Sequence, residues 1–145
     1  MKNESSLQLI DFYFTKVDFK QKRQKHHKVI LKNIQIGYAL NPDKTQICVT
    51  VDTVFRNKGD SIVLEMETVA EFKLNQIDMT DKNTKHLIEI NTLAIMFPYI
   101  RSQASLVTTQ PGLEPIQLPL INVEALLEEA VAESPKAQKG LSDNV

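Results

Sequence analysis

Two segments in the second half of the chain decide the fold: Met96-Phe97-Pro98-Tyr99-Ile100-Arg101 and Leu118-Pro119-Leu120-Ile121-Asn122-Val123-Glu124-Ala125-Leu126. Both contain residues that a helix can accept, and the connection between them is rich in proline. Each proline fixes its own φ angle and pushes the preceding residue toward extended geometry. The connection is therefore predicted to be a stiff, extended apolar linker between two helices.

The bulk composition is typical of one globular domain. The chain has 145 residues, of which 42% are hydrophobic and 24% are charged. We expect a single domain over residues 1–133 and a disordered polar tail over residues 134–145. No apolar run approaches the roughly 20 residues of a membrane span, and the N-terminus lacks the apolar core of a signal peptide. The sequence thus predicts a cytoplasmic protein without membrane insertion.

Residues with catalytic chemistry are scattered along the chain. The single cysteine, Cys48, excludes an internal disulfide and a cysteine-built metal site, and its strand pattern favours a small core side chain. Glu65, Glu67 and Glu71 share one strand face, which a solvated face explains better than paired acid–base carboxylates. With only 4 glycines, no phosphate-binding loop is present in the sequence. We expect no catalytic residue, no cofactor and no enzyme activity.

A net charge of -1 hides a short basic stretch. It consists of Lys20, Lys22, Arg23, Lys25, His26, His27 and Lys28. Such a stretch could contact nucleic acid or an acidic protein, but no aromatic residue lies among the charges to stack on a base. The adjacent histidines lack the spacing and further ligands of a metal site. We therefore predict a solvated loop, with neither nucleic acid nor metal bound.

Alternating apolar residues predict four antiparallel strands over residues 7–19, 29–40, 46–55 and 62–74. The first strand changes phase at Ile10 and Asp11, which indicates a β-bulge. Turns are expected at residues 41–44, where Asn and Asp can bond to the local backbone, and at residues 56–60. Four strands leave two open sheet edges, and open edges favour pairing with another subunit.

Helical patterns follow the strands. A short turn near His86 is expected to precede a main helix that starts near Pro98 and ends near Thr109. Asn122 is a suitable N-cap for a second helix over residues 123–132. The predicted fold class is α+β, a four-stranded antiparallel sheet followed by two helices, oligomeric through strand edges and the main helix.

The two segments quoted first resemble motifs of the SecB family of protein-export chaperones, which includes SecB-like chaperones associated with toxin–antitoxin systems. Met96 to Arg101 is similar to that family's Leu-Phe-Pro-Tyr-Ala-Arg at the start of its main helix. Leu118 to Leu126 is similar to its Leu-Ala-Pro-Val-Asn-Phe-Asp-Ala-Leu. Strand order, spacing and length agree over roughly residues 7 to 132.

The resemblance implies a homotetramer built as a dimer of dimers, with main helices sandwiched between two outer sheets. It also implies that unfolded polypeptide clients bind without ATP in apolar surface grooves. Carried over to this sequence, the client-binding residues are Ile34, Ile36, Tyr38, Leu64, Met66, Leu118, Leu120, Val123 and Leu127.

Export chaperones of this family also dock the translocase motor SecA on an acidic sheet face. The residues that correspond here are Asp18, Glu65 and Glu67. Lys16, Lys20 and Lys73 dilute this acidic face, and the net charge of the chain is only -1. We therefore expect weak docking of SecA.

The leading functional hypothesis is an ATP-independent holdase that serves protein export or controls a dedicated client such as an antitoxin. The alternative is a non-enzymatic adaptor or oligomeric scaffold that binds one folded partner protein. Suppression of aggregation of several unrelated clients would favour the first hypothesis, and binding of one folded partner would favour the second.

Overall fold

A computed structural model describes residues 7–22, 28–74 and 81–111, together with Ala125 and Glu128. Four strands precede one long helix along the described chain. They are β1 (Leu7–Gln21), β2 (Val29–Leu40), β3 (Gln46–Asn57), β4 (Ile62–Leu74) and α1 (Lys82–Thr108). The predicted strands are confirmed, and β2 and β4 have the predicted bounds.

The four strands form one antiparallel sheet in the order β1-β4-β3-β2. Tight hairpins join β2 to β3 and β3 to β4, and β1 pairs with β4 on the far side. Among the described strands, β1 and β2 are therefore the two edges. Each edge presents one row of backbone groups that no described strand pairs.

Asparagine side chains fix both hairpin turns. Asn41 accepts hydrogen bonds from the backbone N–H groups of Thr45 and Gln46 at 2.9 and 3.0 Å. In the second turn, Asn57 accepts from the backbone N–H of Ile62 at 3.0 Å. Gly59 there has a φ of 85°, a conformation that glycine adopts without steric cost. The predicted turn chemistry at residues 41–44 is confirmed.

Two bulges keep the apolar side chains of β1 on one face. Its register against β4 shifts between Leu9 and Asp11 and again between Phe14 and Lys16. Each shift inserts one residue, and one residue reverses the face that later side chains occupy. The inserted residues re-align β1 with buried positions of β4, through the pairs Leu9–Phe72, Phe12–Ala70, Phe14–Thr68, Val17–Met66 and Phe19–Leu64. The sequence predicts the first bulge but not the second.

One face of the sheet carries the core, and we call it the inner face. Along β4 the side chains alternate strictly between buried positions and positions that are exposed or half-buried. The buried set of β4 is Ile62, Leu64, Met66, Thr68, Ala70, Phe72 and Leu74. Ile88, Leu93, Met96, Phe97, Ile100 and Ala104 of α1 belong to the same core cluster.

Helix α1 runs without interruption through Pro98, so the expectation of a separate turn before a helix starting at that proline is wrong. Its start is set by Asp81, whose side chain accepts from the backbone N–H of Asn83 at 3.1 Å and from the Thr84 hydroxyl at 3.0 Å. Pro98 removes the hydrogen bond to the carbonyl of Ala94. Both residues lie on the exposed side of the helix, where that loss costs less than in the core.

One row of inner-face residues, at the middle of the sheet, has small side chains at its centre. In cross-strand register, the row runs Tyr38, Val49, Ala70, Phe12 from β2 to β1. We call it the central row. Val49 and Ala70 are fully buried at its middle, between two aromatic residues at its ends. Small residues there leave room for a helix to approach the sheet.

Helix α1 lies across the strands along this central row. Tyr38 at one end of the row is within electrostatic range of Glu89 and Thr92 of α1. At the other end, the rings of Phe12 and Tyr99 are 4.9 Å apart. From Glu89 to Tyr99 the helix rises about 15 Å, and three strand spacings cover about 14 Å. The helix thus crosses the sheet nearly perpendicular to the strands.

The second predicted helix falls almost wholly outside the described residues. Ala125 and Glu128 are helical, and the rest of residues 123–132 is not described. The predicted linker and the predicted tail over residues 134–145 also lie outside the described part of the chain. These three statements stay predictions.

Replacing Ala70 by Leu tests the crossing of α1 over the central row. The larger side chain would force α1 away from the sheet, and we expect the free energy of unfolding to fall by about 1–3 kcal/mol. Val69→Leu is the matched control, because Val69 is the next residue and points to the other face. Urea unfolding should show a change within about 0.5 kcal/mol for that control. Equal effects of the two substitutions would contradict this placement of the helix.

Candidate functional site

A groove with a volume of about 580 Å³ lies between β1 and α1. We call it the β1–α1 groove. Its lining residues are Phe12, Phe14, Tyr99, Ser102, Gln103, Ser105, Leu106 and Thr109. The aromatic and aliphatic members come from the bulged strand and from the side of α1 that faces away from the core.

The walls of the groove are ordered by ring contacts. Phe12 packs edge to face against Phe14, with ring centroids 5.4 Å apart and an interplanar angle of 86°. On its other side Phe12 meets Tyr99 at an angle of 45°. Such pairs contribute about 0.5–1.5 kcal/mol beyond area burial, so the aromatic wall is a fixed surface.

Much of this wall is exposed in the single chain. Tyr99 is 52% exposed and Leu106 is 68% exposed, and both lie on the solvent side of α1. Ile10, the residue inserted at the first bulge of β1, is also largely exposed. A concentration of large apolar side chains beside an unpaired strand edge is typical of a surface that binds other polypeptide.

The five predicted client-binding residues that the structure describes are Ile34, Ile36, Tyr38, Leu64 and Met66. All five are 0–5% exposed and belong to the core cluster. The expectation that they are exposed is wrong for the single chain, because alternation along a strand separates the two faces but does not reveal which face a helix covers. Leu118, Leu120, Val123 and Leu127 lie outside the described residues. The role of the nine residues in client binding stays a prediction.

The predicted docking residues lie on the face opposite α1, which we call the outer face. Asp18 and Glu65 are cross-strand partners there, and Glu67 is the next outward residue of β4. The Lys16 ammonium donates to Glu65 at 3.0 Å, and this hydrogen bond, with the charge of Lys16, holds the pKa of Glu65 below its usual value. One of the three carboxylates is therefore already paired with a lysine.

Asp52 extends the acidic part of the outer face and was missed by the sequence analysis. It is the cross-strand partner of Glu67 on β3. Partial burial raises the pKa of Asp52, and the nearby charge of Glu67 raises it further. Two carboxylates directly opposite each other repel, so this part of the outer face would gain from a cationic partner. The strand register was the missing information, because Asp52 and Glu67 lie far apart in sequence.

Cys48 also lies on the outer face, half-buried, between the buried residues Ile47 and Val49. The interpretation of Cys48 as a core side chain is wrong, since the alternation of β3 directs it away from the core. Partial burial raises the pKa of the thiol, and Glu71 on the neighbouring strand raises it further. A raised pKa lowers the fraction of thiolate, the reactive form of cysteine.

Within the described ranges, no group of three or more His, Cys, Asp or Glu side chains could hold a metal ion. The adjacent histidines of the basic stretch, His26 and His27, lie outside those ranges. Of the helical residues that are described, none form a helix long and apolar enough to cross a bilayer.

Residues 9–134 match the family model described as preprotein translocase subunit SecB. The match includes β1 from Leu9 onward, the other three strands, helix α1 and both segments that resemble SecB motifs. The chain belongs to the SecB family.

Similar proteins of known sequence include two named protein-export protein SecB. The SecB of Burkholderia multivorans is 31% identical over 80 residues, 55% of this chain and 49% of that protein. The SecB of Anaplasma phagocytophilum is 25% identical over 83 residues, 57% of this chain and 52% of that protein. An uncharacterized protein of Methanocaldococcus jannaschii, MJ0357, is 31% identical over 81 residues, 54% of this chain and 51% of that protein. The chain spans about half the length of the curated relatives it matches.

The fold is also similar to a solved structure described as the Mycobacterium tuberculosis Rv1957 SecB-like chaperone in complex with a ChAD peptide from the Rv1956 HigA1 antitoxin. The TM-score is 0.68 at 16% sequence identity, covering 83% of this chain and 91% of that one. At this identity the likeness shows a shared SecB-like fold.

Proposed function

We propose that this SecB-family protein is an ATP-independent chaperone that holds polypeptide clients unfolded. The observation that carries the proposal is a fixed apolar surface on a SecB fold, the aromatic wall that Phe12 and Phe14 form in the β1–α1 groove. A catalytic function has no comparable support, because the described surfaces offer apolar contacts and charged side chains for binding.

A surface of this kind binds without sequence specificity. Burial of apolar area contributes about 25 cal/mol per Å² whichever apolar side chain supplies it. Several weak contacts spread along one extended segment add up to useful affinity through their high effective concentration. An unfolded chain therefore binds better than a folded protein whose apolar residues are inside, and no nucleotide is needed.

The client is either a range of exported proteins or one dedicated protein such as an antitoxin. Two SecB relatives are named protein-export proteins, and the structural neighbour is described as bound to an antitoxin peptide. The client-binding residues inferred from the SecB resemblance remain part of the proposal. Since Ile36 and Leu64 are buried, a client reaches them only if the part of the chain that covers them moves.

An aggregation assay tests the proposed function. Several unrelated proteins, diluted from denaturant, should scatter less light in the presence of this chain, with no nucleotide added and none bound. Protection should end when the clients have folded, since folding buries the apolar residues that the chaperone holds. If no unfolded client is protected and one folded partner binds instead, the adaptor hypothesis would replace the chaperone.

We further propose that a second copy of the chain covers the rim of the β1–α1 groove. The open edge of β1 and the exposed side of α1 meet at this rim, so one partner could pair with the backbone edge and bury Tyr99 and Leu106 together. The exposed side of the helix remains available for a second contact, as a dimer of dimers requires.

Leu106→Glu and Leu87→Glu form a matched pair for the assembly. Both leucines are exposed on α1, at 68% and 56%, but only Leu106 lies in the groove. Light scattering of the wild type should give the mass of a dimer or tetramer. Leu106→Glu should reduce that mass, because the new carboxylate would have to be buried in the interface and would weaken association. Leu87→Glu should leave the mass unchanged. A wild-type monomer at micromolar concentration would contradict the proposed assembly.

Docking of a SecA-type motor is expected to be weak. Exposed charges mainly set the association rate and its salt dependence, and the Lys16–Glu65 pair lowers the net charge of the outer face. Titration calorimetry at about 0.15 M salt should detect no binding. Lys16→Glu should strengthen any residual binding, since it removes the cation and adds a carboxylate. Submicromolar affinity in the wild type that is lost after charge reversal at Glu65 and Glu67 would identify a dedicated export chaperone.

A further inference from the structure

Two polar groups are buried where the first half of α1 crosses β2. Glu89 of α1 and Tyr38 of β2 are each 5% exposed. The Oε2 atom of Glu89 and the hydroxyl of Tyr38 make no well-formed hydrogen bond to the residues that the structure describes, although the Thr92 side chain lies close enough to lower the pKa of Tyr38. The nearby Thr92 hydroxyl donates within the helix, to the carbonyls of Ile88 and Glu89 at 2.9 and 3.1 Å. The junction therefore buries a carboxyl group whose Oε2 atom has no hydrogen-bond partner among the described residues, although the positive charges of Lys85 and His86 favour its ionised form.

A buried carboxyl group is far better tolerated when it is neutral. Removing a carboxylate from water costs several kcal/mol unless hydrogen bonds or a cation replace the lost hydration. A protonated carboxyl avoids that cost and also gains an O–H group, which can donate a hydrogen bond to the oxygen of the nearby Tyr38. Among the described residues, the charged groups that act on Glu89 are Lys85 and His86 of α1.

We propose that Glu89 and Tyr38 form a pH-sensitive latch that holds the first half of α1 on β2 while Glu89 is protonated. Ionisation of Glu89 weakens this junction and leaves the aromatic junction of Phe12 with Tyr99 in place. Ile88 and Leu93 flank Glu89 on the buried side of the helix. Loosening the latch therefore exposes apolar surface of the core. This surface is additional to the β1–α1 groove on which the proposed function rests.

The direction of the pH effect follows from burial, which raises the pKa of Glu89 against the opposing charges of Lys85 and His86. A group whose pKa is raised by folding stabilises the folded state fully below its unfolded pKa, about 4.3 for Glu. That stabilisation is lost as the pH rises through the folded pKa. For each unit by which folding raises the pKa, the unfolding equilibrium constant increases about tenfold across this window.

The test compares urea unfolding of the wild type and Glu89→Gln between pH 5 and pH 8 at one protomer concentration. Glu89→Gln mimics the protonated side chain, so its equilibrium constant should lack the rise with pH that the wild type shows. Asp43→Asn is the matched control, because Asp43 is exposed in the turn between β2 and β3, and it should keep the wild-type profile. Identical pH profiles for the wild type and Glu89→Gln would overturn the latch.

Hydrogen exchange locates the effect and keeps the proposal testable if Glu89→Gln folds poorly. After correction for the intrinsic pH dependence of exchange, wild-type amides of residues 82–93 should lose protection with rising pH while those of β3 keep theirs. Tyr38→Phe should reduce protection of residues 82–93 at low pH, because it removes the oxygen that faces the protonated carboxyl. Direct NMR titration showing a Glu89 pKa at or below about 4.3 would also overturn the proposal.

Discussion

The placement of α1 across the central row is the constraint on which the rest of the structure depends. A helix that lies nearly perpendicular to the strands needs small side chains beneath it, and Val49 and Ala70 supply them. It also needs an apolar contact on the edge strand, which the bulges of β1 provide by turning Phe12 inward. The ends of the row are chemically different, since one junction is aromatic and the other contains the buried carboxyl of Glu89. Loss of either junction would alter which apolar surface the protein exposes.

Local signals in the sequence were sufficient for the strands and turns. Alternation along β4 and the side-chain chemistry of Asn41 are short-range properties, and the structure has them as predicted. The start of α1 was mispredicted because Pro98 is a strong local signal against a helix interior. Asp81 as N-cap and exposure of the proline outweigh it, and exposure of a helix face is decided by tertiary packing.

The candidate site was harder to predict than the fold. The sequence indicated which residues of a strand share a face, but the position of α1 determines whether that face is covered. Ile34 and Ile36 are therefore core residues in the single chain, whereas Phe12 and Leu106, which no motif singled out, line the open groove. The second bulge of β1 was also missed, because Thr15 carries no local signal for it. The SecB motifs identified the family correctly from residues that lie mostly outside the groove.

The two faces of the sheet are suited to different partners. The inner side and its rim offer apolar contact, and the outer face offers carboxylates partly neutralised by Lys16. Repulsion between Asp52 and Glu67 makes part of that face acidic, and the charge of Lys16 on β1, the cross-strand partner of Glu67, offsets some of it. Assembly at the rim and client binding along the aromatic wall of the groove can therefore proceed without competing with a cationic partner on the outer face.

The central claim of the functional account is that a second copy of the chain covers the rim of the β1–α1 groove. Hydrogen exchange of β1 in the assembled protein tests this claim most directly. If a second copy covers the rim of the groove, the alternate amides of residues 7–21 that point away from β4 should exchange slowly. Dilution below the assembly range should then release those amides while the amides of β3 stay protected. Fast exchange of the outward amides of β1 at every protein concentration would contradict the account, because the edge strand and the side of α1 beside it would then be open surfaces.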